Sequence, residues 1–177
     1  MISKIKSDKD FLEVFITKEM MKEAEERNLL FYRKYGNRGT NRLDKKNQRI
    51  TGYLAEVAIN TCFNKIKYSD NDEVDFVSFK KNKITFDSKA QGCNTKPKIN
   101  YVGTLYENQK NRNCDVLIFS RVKNTHDVVW ITGFMPKQQF LEVSKLIPKG
   151  VKNNNFTYDE SRYELEYSQL YDPHLLI

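Results

Sequence analysis

Two aspartates and a lysine, Asp75, Asp87 and Lys89, stand at spacings that could gather them into a catalytic or ion-binding cluster. The stretches 73–79 and 83–91 both read as β-strands, joined by the turn residues Lys80, Lys81 and Asn82. Val74 and Phe76 alternate with other side chains on the first strand, as Ile84 and Phe86 do on the second. These four apolar residues are expected to share one face, because a one-residue slip turns a whole strand over. Pairing Phe76 with Phe86 achieves this and leaves a three-residue loop, in which Asn82 tolerates a left-handed conformation. It also sets Asp75 opposite Asp87, with Cβ atoms about 5 Å apart. Lys89 then falls on the same face, about 7 Å along its strand.

Facing carboxylates repel unless something positive neutralises them. Lys89 alone could do so as a structural ion pair. A divalent cation could also do so, held by the two aspartates and the backbone between them. The hairpin by itself leaves both readings open. A third acid bears on the choice. The stretch 48–63 reads as a helix with an apolar stripe of Ile50, Tyr53, Leu54 and Val57, and with Ile59 and Cys62 on its opposite side. Glu56 lies on a stripe with Arg49, near Gly52. Such a glutamate is commonly a paired surface residue. This helix, however, runs through a strand-like stretch at 66–68 straight into the acidic hairpin, an order that can set Glu56 beside the aspartates.

A helix glutamate, then Asp, then Asp-x-Lys on a hairpin resembles the PD-(D/E)XK nuclease superfamily. The matching residues are Glu56, Asp75 and Asp87-Ser88-Lys89, over roughly 48–134; Val74 stands where the motif is named for a proline. The resemblance implies a restriction-endonuclease-like core, a four-stranded mixed sheet with a helix on each side. It implies Asp75, Asp87 and the Ser88 carbonyl as metal ligands, with Glu56 taking a second ion or holding a water. Oxygen ligands of this kind suit Mg²⁺ or Mn²⁺ rather than zinc. Lys89 would stabilise the attacking hydroxide or the charge that develops on phosphorus, in hydrolysis of a phosphodiester. Gln91, on the same strand face, could orient water or phosphate, or simply cap a loop.

Composition is compatible with this. The 177 residues carry a net charge of +7, as a polyanion binder would, although a Lys- and Asn-rich genome would produce the same bias. Arg38, Arg42, Lys45, Lys46 and Arg49 form a cationic run into the Glu56 helix, and Lys96 and Lys98 flank Pro97 beyond the hairpin. All seven are candidate DNA contacts. Cys62, Cys93 and Cys114 are odd in number and lack paired spacing, which predicts free thiols in a reducing compartment. With His126 and His174 the only histidines, no Cys/His zinc site assembles convincingly. The charged first ten residues do not read as a signal peptide, and no apolar run reaches membrane-span length. An intracellular, cytoplasmic protein is expected, and its Asn/Lys-rich composition would suit a phage or mobile element.

The expected architecture is one α/β (α+β) domain over 1–177, with a core at 48–147. Its mixed four- to five-stranded sheet is flanked by helices. A helix at 17–35 is capped by Thr17, and a C-terminal extension covers 151–177 with a strand at 162–167. Strands are expected at 114–122 and 128–134, and a helix from Pro136 with Phe140, Val143, Leu146 and Ile147 as its core stripe. The stretch 100–110 reads as a short helix or irregular chain. The expected activity is that of a small Mg²⁺-dependent endonuclease on DNA, structure-selective or weakly sequence-specific. Cleaving both strands would require a homodimer or two successive nicks. The alternatives are an end-processing exonuclease of the same fold and a nucleic-acid-binding protein without catalysis.

Overall fold

In the computed structural model, residues 3–35, 43–69, 74–79, 83–153 and 156–177 are described. The chain opens with strand β1 (Leu12–Phe15) and helix α1 (Lys18–Tyr35). Thr17 caps α1, its Oγ1 accepting from the Met20 N–H at 3.3 Å. Met20, Ala24 and Asn28, each four residues apart, form its buried face. Helix α2 (Leu43–Cys62) begins earlier than its apolar pattern predicts and buries Leu54, Ala55, Val57, Ala58 and Ile59 against α1 and the sheet. Strands β2 (Ile66–Tyr68), β3 (Phe76–Ser78), β4 (Thr85–Cys93), β5 (Val102–Tyr106), β6 (Val116–Lys123) and β7 (Val128–Pro136) follow. A short helix α3 (Lys137–Val143) leads to β8 (Lys145–Ile147), β9 (Lys152–Asn153), β10 (Phe156–Thr157) and β11 (Arg162–Glu166).

Six strands form a mixed sheet in the order β1-β7-β6-β4-β3-β2, in which only β4 and β6 are parallel. Helices α1 and α2 cover one face, burying Leu54, Ile59, Phe76, Phe86, Ile118 and Ile131. A second, antiparallel sheet, β5-β11-β8, covers the other face with α3, burying Leu105, Leu117, Phe119, Met135, Phe140 and Leu165. Burial on both faces is why β6 reads as a continuous apolar run.

The class is mixed α and β, as expected, but the second face differs. A small sheet covers most of it where a helix was expected. The stretch 100–110 supplies β5, because Val102–Tyr106 finds a partner in β11, far away in sequence. The helix after Pro136 stops at Val143, which is exposed, as is Leu146; residues 145–147 instead pair with β11. The main sheet also gains β1, which lay in a stretch that no pattern marked as a strand.

Strand β7 carries a bulge. Phe119 faces Gly133 while Ser120 faces Ile131, so Thr132 is the extra residue, its hydroxyl donating to the Phe119 carbonyl at 3.1 Å. Gly133 has φ +145, and a Cβ there would lie 2.9 Å from both Leu170 Cβ and the Tyr171 carbonyl oxygen. Gly52, in α2, has nothing within 4 Å of the same position. Gly133→Ala is therefore expected to cost about 2 kcal/mol or more in urea unfolding. Gly52→Ala should add about 0.5–1 kcal/mol by removing a helix glycine. Equal urea midpoints for the two variants would refute this account of the bulge.

Candidate functional site

The start of β4 is clamped from both sides. The Thr85 N–H and hydroxyl both donate to Asp115 Oδ2 at 2.8 Å, and the Asp115 N–H returns to the Thr85 carbonyl at 3.1 Å. This fixes β4 against β6 with Asp87 opposite Leu117. On its other edge β4 pairs with β3, and Phe76 lies opposite Phe86, the register that the apolar alternation predicts. The alternation itself holds only there. Val74 packs in the opposite core and Ile84 is exposed. The cause is a bend at Asp75, whose N–H donates to the Phe86 carbonyl at 3.1 Å although Phe76 is the ladder partner of Phe86. Two residues on one strand thus meet one on the other. The Asp75 carboxylate in turn accepts the Ser88 N–H at 2.6 Å, a donor that a continuing β3 backbone would have satisfied.

Asp75 and Asp87 meet, but from the bend before β3 rather than from the directly opposed strand positions expected. Their carboxyl groups are in hydrogen-bond contact, Asp87 is 1% exposed, and Lys89 Nζ lies 2.5 Å from Asp87 Oδ2. Glu56 on α2 and Gln91 on β4 line the same cleft, about 220 Å³ in volume, together with Ser88. Glu56 does not turn to Arg49. It pairs with Arg27 of α1, whose guanidinium stacks over Tyr68 at 4.0 Å and lies 5.4 Å from the centroid of Tyr53. Arg49 bonds to the Tyr32 hydroxyl and stacks on that ring. No sequence pattern pointed to Arg27, or to Arg112, which approaches Asp87 Oδ1 to 3.6 Å from the segment after β5. Thr104, Tyr106 and Gln109 also line the cleft, brought there by the strand that was read as helix or irregular chain.

Burial dominates the electrostatics. It pushes the Glu56 carboxyl up to about 8, helped by the charge on Asp75 and opposed by Arg27. It pushes Asp75 up to about 7, helped by Asp87 and opposed by the Ser88 N–H and Lys89. The Cys114 thiol is likewise raised, to about 11, chiefly by burial, and all three cysteines are unpaired.

Among the described residues no three Asp, Glu, His or Cys side chains already stand together as a metal-holding group. The cleft offers two facing carboxylates. It also holds a buried Ser88 hydroxyl that has no hydrogen-bond partner among the described residues. This hard-oxygen set fits Mg²⁺ or Mn²⁺, ions that bind through one or two carboxylates and keep much of their water. Glu56 lines the same cleft, with one carboxylate oxygen, Oε2, on Arg27.

Of the candidate DNA contacts, three have described side chains. Arg38 and Arg42, and the side chains of Lys45 and Lys46, lie outside the described residues. Lys96 pairs with Glu13 at 3.1 Å, Lys98 is exposed, and neither they nor Arg49 line the acidic cleft. No described helix is long and apolar enough to cross a membrane. Neither a family model nor a curated protein matches the sequence.

Asp75 and Glu56 bind protons in the folded chain that they release on unfolding, since their ordinary values are 3.8 and 4.5. Stability in EDTA should therefore fall as pH rises from about 4 to about 8, by at most about 1.4 kcal/mol per pH unit for each proton. Asp75→Asn should flatten that slope, and millimolar Mg²⁺ should raise the melting temperature most at pH 8. Thermal unfolding across this range is the check; an unchanged slope in Asp75→Asn would refute the carboxylate account.

Proposed function

We propose that this chain is a Mg²⁺- or Mn²⁺-dependent deoxyribonuclease with a PD-(D/E)XK-type site. It would be a small endonuclease, structure-selective or weakly sequence-specific. One observation carries the reading: the buried Asp87 and the half-buried Asp75 bring their carboxylates together in one cleft, with a lysine two residues beyond Asp87 and a helix glutamate beside them. Asp75 and Asp87 would hold the cation. A bound divalent ion supplies charge to a phosphoryl oxygen and eases deprotonation of a water. Lys89, now on Asp87, would turn its ammonium to the charge that grows on the phosphoryl group. Arg112, half exposed and lining the same cleft, would hold the phosphate itself. Glu56 and Arg27, paired between two tyrosines, would keep α2 in position and orient a water on the far side of the cleft.

A second reading has its own support. Lys89 and Arg112 both reach Asp87, and Arg27 pairs with Glu56, so three basic groups stand against the three carboxylates without a cation. On that reading the chain binds nucleic acid without cutting it. A panel of single-stranded, duplex, flapped and four-way-junction DNA, plus RNA, each with Mg²⁺ and with EDTA, separates the two. Under the nuclease reading Lys89→Ala should lower cleavage by about 10²–10³-fold with binding nearly intact, because one ammonium adds little to a multi-phosphate interface. Asp87→Ala should cost at least as much, and Glu56→Ala less. Lys89→Ala that cuts like wild type would overturn the assignment.

A further inference from the structure

Beside the acidic cleft lies a second recess, about 430 Å³ in volume, lined by residues of α2, β4, β5 and the β6–β7 turn. The two cavities share Ala90, Gln91 and Tyr106, so they meet along β4. Their chemistry differs sharply. The acidic cleft holds three carboxylates, a lysine and an arginine. Among the described residues no Lys, Arg, Asp or Glu lines the second recess. It presents instead the carboxamides of Asn47, Gln48, Gln91 and Asn124, with Tyr106 and His126 as ring-bearing walls.

We infer that this recess takes an unpaired nucleobase, that of the nucleotide next to the phosphate held in the acidic cleft. The substrate would then be a single-stranded or frayed segment rather than intact duplex. The inference deepens the nuclease reading and rests on it for the position of the phosphate. Carboxamides offer a donor and an acceptor side by side, the pairing that base edges present, and the described wall holds no cationic side chain to draw a phosphate into it. Tyrosine and histidine rings supply stacking surfaces. Duplex is read by helices or ribbons that project into a groove; a recess accepts a base only when that base leaves its stack. Gln91 lies two residues from Lys89, about 7 Å along the strand, which puts the two cavities within reach of adjacent parts of one nucleotide chain.

Two local features build the recess. The Asn124 amide donates to Asn94 Oδ1 at 2.6 Å, and its own Oδ1 lies where a Cβ on Gly92 would come to 2.5 Å, so glycine makes room for this carboxamide. His126 sits in a left-handed conformation, φ 60, its N–H held by the Lys123 carbonyl at 2.7 Å. This turn geometry costs energy for a non-glycine residue and persists only when the surroundings enforce it. Beyond Asn47 and His126 the path continues into a third recess against α1. There the 5%-exposed Asn28 keeps an Oδ1 with no partner among the described residues, one more acceptor along the same track.

The test is binding in EDTA, where no cleavage occurs, by fluorescence anisotropy. The probes are a single-stranded oligodeoxynucleotide, the same oligomer made abasic, and its duplex. Wild type should bind the base-bearing single strand about ten-fold more tightly than the abasic one, the effect of one lost base contact, and more tightly than duplex. Asn124→Ala and Gln48→Ala should erase that preference while leaving affinity for the abasic strand unchanged. Equal affinity for base-bearing and abasic strands, or a preference for duplex, would overturn the inference. Base-dependent binding in a protein that never cuts DNA with Mg²⁺ would uphold the recess and refute the reaction; cleavage without base preference would do the reverse.

Discussion

The forced meeting of Asp75 and Asp87 is the constraint around which the molecule is organised. Two carboxylates in contact inside a protein oppose folding. The chain supplies what holds them: the Thr85–Asp115 clamp fixes one strand, the Phe76–Phe86 pair fixes the other, and the bend at Asp75 turns its carboxylate onto a backbone N–H. Each device uses local geometry to impose a charge arrangement that electrostatics alone would disperse. Lys89 and Arg112 then offset part of the repulsion without removing it.

The layers on either side of the sheet contribute unequally to this arrangement. Helix α2 brings Glu56, and α1 brings the arginine that pairs with it, so the helical face sets one wall of the cleft. The small sheet brings Thr104, Tyr106 and, just past its first strand, Gln109 and Arg112. A floor of β-strand, a helical wall and a wall of second sheet thus converge at β4, which runs parallel to its neighbour β6 in the large sheet.

Where the information was local, the sequence was legible. The Thr17 cap, the Gln48 to Phe63 periodicity and the Phe76–Phe86 register all depend on residues close together in the chain, and the structure bears out each of them. Where a partner lay far away, it was not. Val102–Tyr106 is a strand because β11 lies beside it, and Lys145–Ile147 leaves its expected helix for the same partner. Val74 fails the alternation because a bulge interrupts it, a feature set by hydrogen bonds that no apolar pattern encodes. Arg27 and Arg112 escaped notice for a related reason: each reaches the acids from a remote element, and an isolated arginine in a basic chain looks like any other.

The bulge at Gly133 brings about one more arrangement. By letting Tyr171 pack against β7, it admits the last part of the chain to the sheet, with Phe134 and Tyr171 exchanging backbone hydrogen bonds at 3.1 and 2.9 Å. The same segment clasps the first residues, through Ile5 N–H to the Leu170 carbonyl and Asp172 N–H to the Ser3 carbonyl, each 3.1 Å. The described ends of the chain therefore form a single seam closed over the floor of the sheet. Such a seam opens as a unit, so the amides of Ile5, Phe134, Tyr171 and Asp172 belong to one cooperative exchange group.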